Sequence, residues 1–329
     1  MSEFSTIRRE DREAAEALLA PAATRSITAT RRQDEELDPF RTPFERDRDR
    51  ILHSKAFRRL KHKTQVFMNP DGDHFVTRLT HTLQVTQIGR AMAVTLGLNE
   101  PFTEAICLGH DVGHSPFGHT GEDALTPYVA GEWHHAAQSV RIFEVLEPHN
   151  LTDQVLDGIR AHSWKIEPPP QTPEGYLCRF ADRIAYLSHD VEDALRAGVI
   201  TVDELPGREM FGDPGSRWIA TMIQAVVEGT HRAGRVAMDE DVLEAMNRIR
   251  DFMFERVYLR PEAEGQRRKA VKVIRSLVDH YLEQPSEIPA TYRHDEADAI
   301  TRVIDYVAGM TDRFALREYD RIFRPDGID

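Results

Sequence analysis

Apolar residues recur at helical spacing along nearly the whole chain, and strand-like alternation is almost absent. Ile51, Leu52, Ala56, Phe57 and Leu60 share one helical face, with Lys55, Arg58, Arg59, Lys61 and Lys63 over much of the rest. Val76, Leu79, Leu83, Ile88 and Met92 form a second face that ends near Gly97. The chain therefore reads as all-α. Helices are expected over residues 8–20, ending before Pro21, over 45–66 and over 76–97. The next starts at Asn99 with Pro101, runs into His110-Asp111 and stops by Pro116. Others are expected over 134–147, 151–162 and 174–197, then over 215–229, 239–257, 265–283 and 294–314 as a C-terminal bundle. Asn69-Pro70-Asp71-Gly72-Asp73 reads as a turn and Pro168-Pro169-Pro170 as a surface linker. The organisation expected is an N-terminal helix and polar connector over 1–44, a chemical core over 45–200, and a helical region over 201–329 packed on that core.

One stretch breaks the helical pattern with chemistry. Residues 110–122, HDVGHSPFGHTGE, hold His110, His114, His119, Asp111 and Glu122 among glycines and a proline. Imidazoles and carboxylates cost free energy in a protein interior unless something pairs with them. A divalent cation with hydrolytic chemistry around it would use all of them. His110 and Asp111 are adjacent and diverge by about 100° on a regular helix. Both reach one ion only beside a helix end, where Gly113 and Pro116 put it. Two more donors are available. His81 lies in RLTHTL on the preceding helix, and Asp182 in FADRIAY on an otherwise apolar one. Asp182 could instead pair with Arg179 or Arg183, and a single histidine on an apolar stripe is commonly a core residue. The ordered set of His, His-Asp and Asp on successive helices is far more specific than any one of its members.

The remaining composition narrows the function. A net charge of −13 argues against a protein that coats nucleic acid, although a local basic patch could still bind phosphates. Cys107 and Cys178, far apart in apolar surroundings, allow neither a disulfide framework nor a zinc ribbon and suit a reducing compartment. The first 20 residues lack an apolar signal region, and no run of about 18 apolar residues occurs. A cytoplasmic protein without a membrane span is expected.

The order His81, His110-Asp111, Asp182 resembles the signature of the HD superfamily of metal-dependent phosphohydrolases. More narrowly, the chain is similar to the deoxyguanosine triphosphate triphosphohydrolase-like proteins. The segments RDRDRILHSKAFRRLKHKTQVF (46–67), GDHFVTRLTHTL (72–83), NEPFTEAICLGHDVGHSPFGHTGE (99–122) and DRIAYLSHDVEDALRAG (182–198) carry the resemblance. DYVAGMTDRFALR (305–317) is similar to the family's C-terminal helix. The resemblance spans most of the chain and implies an HD-domain helical core with additional C-terminal helices.

It also implies a reaction: cleavage of a dNTP, possibly dGTP, at the α-phosphorus to deoxynucleoside and inorganic triphosphate. His81, His110, Asp111 and Asp182 would hold the metal, and Mg, Mn, Fe, Ni and Co all suit that donor set. His119 is the candidate general acid for the departing 5′-oxygen, with Glu122 orienting it; alternatively His119 caps a loop. His114 and His135 would touch the α-phosphate. The family commonly has Asn after the latter histidine where this chain has Ala136, and His134 reads as a bystander. Arg78 and Arg183 match phosphate-binding positions, and Arg58, Arg59 and Lys63 could add to them or simply line a solvated face. Gln65 matches a residue that reads the deoxyribose. Tyr186 would stack beside the sugar and Asp190 would accept from its 3′-hydroxyl, while Asp193 reads as a solvated neighbour. The resemblance further implies a homo-oligomer and, as a weaker expectation, single-stranded nucleic-acid binding. Alternative readings are another HD phosphohydrolase, acting on nucleoside monophosphates, cyclic nucleotides or guanosine tetraphosphate, and a non-catalytic nucleotide sensor.

Overall fold

Small polar residues ahead of the apolar runs start most of the long helices. Thr42, Thr77, Asn99, Thr152, Thr172 and Thr311 each accept a backbone N–H two or three residues into the helix that follows. The computed structural model describes residues 4–66, 74–293 and 296–325, which form fifteen α-helices and no β-strand. The expected turn at 69–73 lies outside the described residues. The first nine helices are α1 (Arg9–Ala15), α2 (Pro43–His53), α3 (Lys55–Arg59), α4 (Arg78–Leu96), α5 (Glu100–Gly109), α6 (His119–Leu125), α7 (His135–Arg141), α8 (Asp153–Arg160) and α9 (Pro173–Arg196). The remaining six are α10 (Arg208–Phe211), α11 (Ser216–Ala233), α12 (Glu240–Met253), α13 (Pro261–Glu283), α14 (Ala299–Ala308) and α15 (Asp312–Phe323). Among the described residues no helix is long and apolar enough to cross a membrane.

Two expected helices are each split, for a local reason. The run over 45–66 breaks at Ser54, whose extended backbone (ψ 154°) lets its hydroxyl accept from the Phe57 N–H at 3.1 Å. A serine that satisfies the backbone with its own side chain ends one helix and starts the next. The run over 294–314 breaks after Ala308, and Thr311 caps α15 from a β-region backbone, accepting from the Phe314 N–H. Conversely, α6 was not apparent in the sequence. It starts at His119, directly after Gly118 at φ 58°. π-helical turns extend α7 through Ile142–Leu146 and α12 through Phe254–Tyr258.

Two apolar cores result. In the first, α4 packs against α5, α9 and α11, and α5 also meets α2 and α8. Ile88, Met92, Ile106, Leu177, Ile184, Trp218 and Met253 are buried there. Phe44 stacks on Phe102 with ring centroids 4.3 Å apart, an arrangement worth about 0.5–1.5 kcal/mol beyond the area it buries. The second core joins Ile274, Leu277 and Tyr281 of α13 and Val303 and Val307 of α14 to Phe117, Ala124, Leu125 and Trp133. The chemical segment of the sequence therefore lies between the two cores: α5 leads into it from the first, and α6 leaves it into the second.

Candidate metal centre

The end of α5 sets the geometry. His110 is the C-terminal cap residue of α5, and the chain turns at once, with the His114 N–H donating to the Asp111 carbonyl oxygen at 3.1 Å. Gly113 makes that turn possible. A Cβ there would stand 2.4 Å from the His135 carbonyl oxygen and 2.3 Å from the Ser139 nitrogen, so the turn lies flat on the first turn of α7. The Ser139 hydroxyl locks the contact, donating to the His110 carbonyl oxygen and accepting from the Gly113 N–H, each at 2.9 Å.

Three of the four expected ligands, His81, His110 and Asp182, bring their donor atoms within 4.8 Å of one another, while Asp111 adjoins them and groups instead with His114 and His135. His81 Nε2 is 3.1 Å from Asp182 Oδ1 and 3.9 Å from Asp111 Oδ2. His110 Nε2 is 3.5 Å from Asp111 Oδ1 and 3.9 Å from Asp182 Oδ1. The His110 Nδ1–H donates to the Cys107 carbonyl oxygen at 2.7 Å, leaving Nε2 as a lone pair. That Nε2 is buried and has no hydrogen-bond partner among the described residues. An oriented, orphaned imidazole nitrogen beside two carboxylates and a second histidine fits a divalent cation, with the Cys107 carbonyl fixing the tautomer behind it. Burial pushes the Asp182 and Asp111 carboxyls up. The His81 hydrogen bond and the imidazoles around Asp182, and His110, His114 and Arg78 around Asp111, outweigh it and hold both below the usual range. Arg78 is itself buried and donates to Asp111 Oδ2 at 2.7 Å.

A second group stands beside the first, organised on Glu122. Its Oε1 is 2.7 Å from His135 Nδ1, 2.9 Å from His114 Nδ1 (off the hydrogen-bonding direction) and 3.6 Å from His119 Nδ1. Glu122 thus serves three imidazoles and sits closest to His135, not His119. The His114 and His135 rings stack at 3.8 Å, and His114 Nε2 is 3.3 Å from Asp111 Oδ1. Burial lowers His114 to about 3, with the Arg78 charge acting the same way, so its ring is neutral. The His119 ring is 78% exposed at the mouth of the group. Its packed inner edge pulls its pKa down, but Glu122 raises it further and the net shift is upward, moderated by the water on its outer face. His134 caps α7, its Nδ1 accepting from the Ala136 N–H at 3.2 Å, and Ala136 is fully buried.

Asp182, Tyr186 and Asp190 follow one another at four-residue intervals on one face of α9. Arg183 lies over the Trp164 ring at 4.6 Å, and its Nε is buried without a partner. Gln65 has a buried, unpartnered Oε1, and a Cβ at Gly118 would stand 2.9 Å from the Arg78 guanidinium and 3.6 Å from the Gln65 carbonyl oxygen. Three readings are corrected. Asp193 is buried, not solvated, and accepts from the Val76 N–H at 2.9 Å while pairing with Arg196. Lys63 is buried and its ammonium donates to the carbonyl oxygens of His114 and Ala308. Arg59 pairs with Glu147 at 3.0 Å instead of joining the cluster, while Arg58 is exposed and donates to the His53 carbonyl oxygen, in keeping with the alternative of a solvated face.

Two residues at the site were missed in the sequence. His162 follows α8, is buried, donates from Nδ1 to the Ile159 carbonyl oxygen and lies Nε2 to Nε2 3.0 Å from His135, so the two rings share one proton. Its position just past the apolar stripe Val155–Ile159 was the available signal. Tyr258, in the π-turn after α12, donates its hydroxyl to Asp190 at 2.6 Å. π-turns commonly occur where function displaces a side chain from its regular register.

Burial, aided by the charge of Asp193, lifts Asp190 from 3.8 to about 7 against the opposing hydrogen bond from Tyr258. Between these two values the folded chain keeps a proton that the unfolded chain has lost. Asp190 therefore costs stability progressively as pH rises through that window. Asp190→Asn removes the cost. The thermal midpoint of the variant should exceed that of the wild type by a margin that grows from about pH 4 to about pH 7 and then levels off. A margin that stays flat or reverses in differential scanning calorimetry would show that the carboxylate is stabilising.

The comparisons agree with this architecture. Residues 78–187 match the HD domain model and residues 236–321 a phosphohydrolase-associated domain. A deoxyguanosinetriphosphate triphosphohydrolase-like protein of Caldanaerobacter subterraneus is 44% identical, with 94% of this chain and 93% of that protein aligned. One from Clostridium perfringens is 44% identical over 88% of this chain and 90% of its own length. A solved phosphohydrolase of Bacteroides thetaiotaomicron, 19% identical, superposes with a TM-score of 0.51 over 84% of this chain and 68% of that one, a likeness of fold alone. With two relatives this similar along almost their full length, and with both domain models matched, the chain belongs to the deoxyguanosinetriphosphate triphosphohydrolase-like family of HD phosphohydrolases.

Proposed function

We propose that this protein hydrolyses deoxynucleoside triphosphates at the α-phosphorus, releasing deoxynucleoside and intact inorganic triphosphate. The observation that carries the reading is the pairing of a four-donor cluster with an exposed imidazole. The donor atoms of His81, His110 and Asp182 lie within 4.8 Å of one another, Asp111 stands beside them with His114 and His135, and His119, backed by Glu122, is exposed next to that second group. A divalent cation held by those four donors supplies the Lewis acidity that makes water a nucleophile near neutral pH. The bond that breaks joins the α-phosphorus to the 5′-oxygen, and the alkoxide that leaves needs a proton, which His119 gives. Glu122 favours the protonated ring, its hydrogen bond and charge raising the pKa of His119 against the lowering by burial.

The other side chains supply binding. His114 and His135, stacked and served by Glu122, contact the α-phosphate. Arg78 and Arg183 answer the charge of the triphosphate, each carrying a buried, unpartnered Nε. Gln65 and Tyr186 address the deoxyribose, and Asp190 accepts from the 3′-hydroxyl. Metal end and sugar end of the substrate thus lie along one face of α9. The names of the relatives support a dGTP-like substrate.

The test is a product assay. Each dNTP is incubated with Mn²⁺ or Mg²⁺ and chromatographed for nucleoside and triphosphate, with an EDTA control. Deoxynucleoside and triphosphate in equal amounts, lost with EDTA, are expected. Pyrophosphate or single phosphate as product would overturn the reading.

A further inference from the structure

The chemistry proposed above makes no use of the segment 305–317, although it is part of the family resemblance. In the structure that segment is the end of α14, a turn and the start of α15, and it lies behind the catalytic loops. Asp312, the first residue of α15, uses both of its oxygens. Oδ1 accepts from the Phe117 N–H at 3.0 Å, and Oδ2 accepts from the Thr64 N–H at 2.9 Å and from the Thr64 hydroxyl. One carboxylate, 195 residues from Phe117 and 248 from Thr64 in sequence, thereby joins the strand of chain before Gln65 to the loop before His119. Two further ties run the same way. Lys63 links the His114 carbonyl oxygen to that of Ala308, and Asp305 accepts from Arg141 at 2.7 Å and Gln138 at 3.0 Å on α7, the helix that begins with His135.

The loop has a reason to need holding. Phe117 has φ 63° and Gly118 φ 58°, and the first is a conformation that a non-glycine residue keeps only when its surroundings impose it. The Phe117 N–H bonds to Asp312, and His119 follows two residues later. The His119 ring is 78% exposed and meets the His114 ring and Glu122 only along its inner edge, so the backbone before it has a large share in setting its direction.

We infer that Asp312 is a positioning residue for proton donation, holding the Phe117–Gly118 turn so that His119 faces the departing oxygen. The inference rests on the reading of His119 as the general acid. Asp312→Asn keeps the shape but replaces one acceptor oxygen by an amide that cannot accept from Thr64 or Phe117. Two readouts test it. The first compares a dNTP, whose alkoxide needs a proton to leave, with bis(p-nitrophenyl) phosphate, whose p-nitrophenolate leaves without one. For Asp312→Asn, kcat on the dNTP is expected to fall about 10- to 100-fold, as misplacement of a reacting group by about an ångström does, with the p-nitrophenyl ester nearly unaffected. The second is hydrogen–deuterium exchange, expected to quicken in peptides covering residues 64–66 and 114–120 and to stay unchanged in α4 and α9. Thr64→Val, which removes only the hydroxyl contact, should move both readouts in the same direction by less. Equal losses on the two substrates, or wild-type exchange in residues 114–120, would overturn the inference. If the wild type releases no deoxynucleoside, the functional reading fails separately, and the exchange experiment still decides whether Asp312 holds the loop.

Discussion

Asp182→Asn is expected to strip the divalent cation and reduce turnover by about 10³-fold or more, with the fold intact. The loss expected reflects the size of the contribution. Lewis-acid stabilisation is worth several kcal/mol in the transition state, and each 1.36 kcal/mol is a factor of ten in rate. Asp182 is a better test than the other carboxylate ligand because of what each leaves behind. Removing Asp111 would strand the buried Arg78 guanidinium, paired with it at 2.7 Å, and such uncompensated charges cost about 3–5 kcal/mol. Inactivity of an Asp111 variant could then be a folding defect. Asp182 is partly exposed, its contact with His81 survives in asparagine, and the volume is unchanged. The measurement is metal content by elemental analysis after gel filtration, beside the dNTP product assay. A variant that keeps its metal and its rate would remove Asp182 from the ligand set, and with it the idea that α9 ties the metal to the sugar site.

Much of the scaffold could be read in the sequence because its determinants are local. Thr77, Asn99 and Thr172 stand directly before the helices they cap, but the apolar face expected over 76–97 holds only in part: Ile88 and Met92 are buried, whereas Leu83 is exposed because α4 turns the His81 and Val85 side inward. The order His81, His110-Asp111, Asp182 could be read because its members stand on α4, the end of α5 and α9, three helices that pack on one another. What could not be read depends on long-range partners. A carboxylate in DVEDALRAG gives no local sign that Val76, 117 residues earlier, will donate to it, so Asp193 passed for a surface residue. Lys63 follows a basic run and resembles its neighbours, yet two carbonyl oxygens 51 and 245 residues away bury it. Tyr258 reaches Asp190, 68 residues earlier, from the last position of the π-turn, a long-range contact with no local sign. Ser54 is different: its signal was local, and a serine followed by a run of good helix formers was read as helix interior when it was a cap.

His119→Gln is expected to lower kcat on dNTPs by about 10²- to 10⁴-fold, the range of a positioned general acid, with little change in KM. The residue suits the test because its ring is 78% exposed, so the substitution should leave stability within about 0.5 kcal/mol. A drop in rate is then a statement about chemistry. A proton given only in the transition state contributes nothing to ground-state binding, which is why kcat should fall and KM hold. pH provides an independent check. The acid must be protonated to act, so wild-type kcat should decline as pH rises through the pKa of His119, which Glu122 shifts upward, and the variant should lose that limb. The neighbouring imidazoles are the competitors for the role. His114 is held neutral by burial and by Arg78, and His135 is engaged at both ring nitrogens, by Glu122 and by His162. Neither has a free proton facing solvent. If His119→Gln keeps both its rate and its alkaline limb, the proton must come from that inner pair, and Glu122, which lies nearer to both of them than to His119, would be acting through them instead.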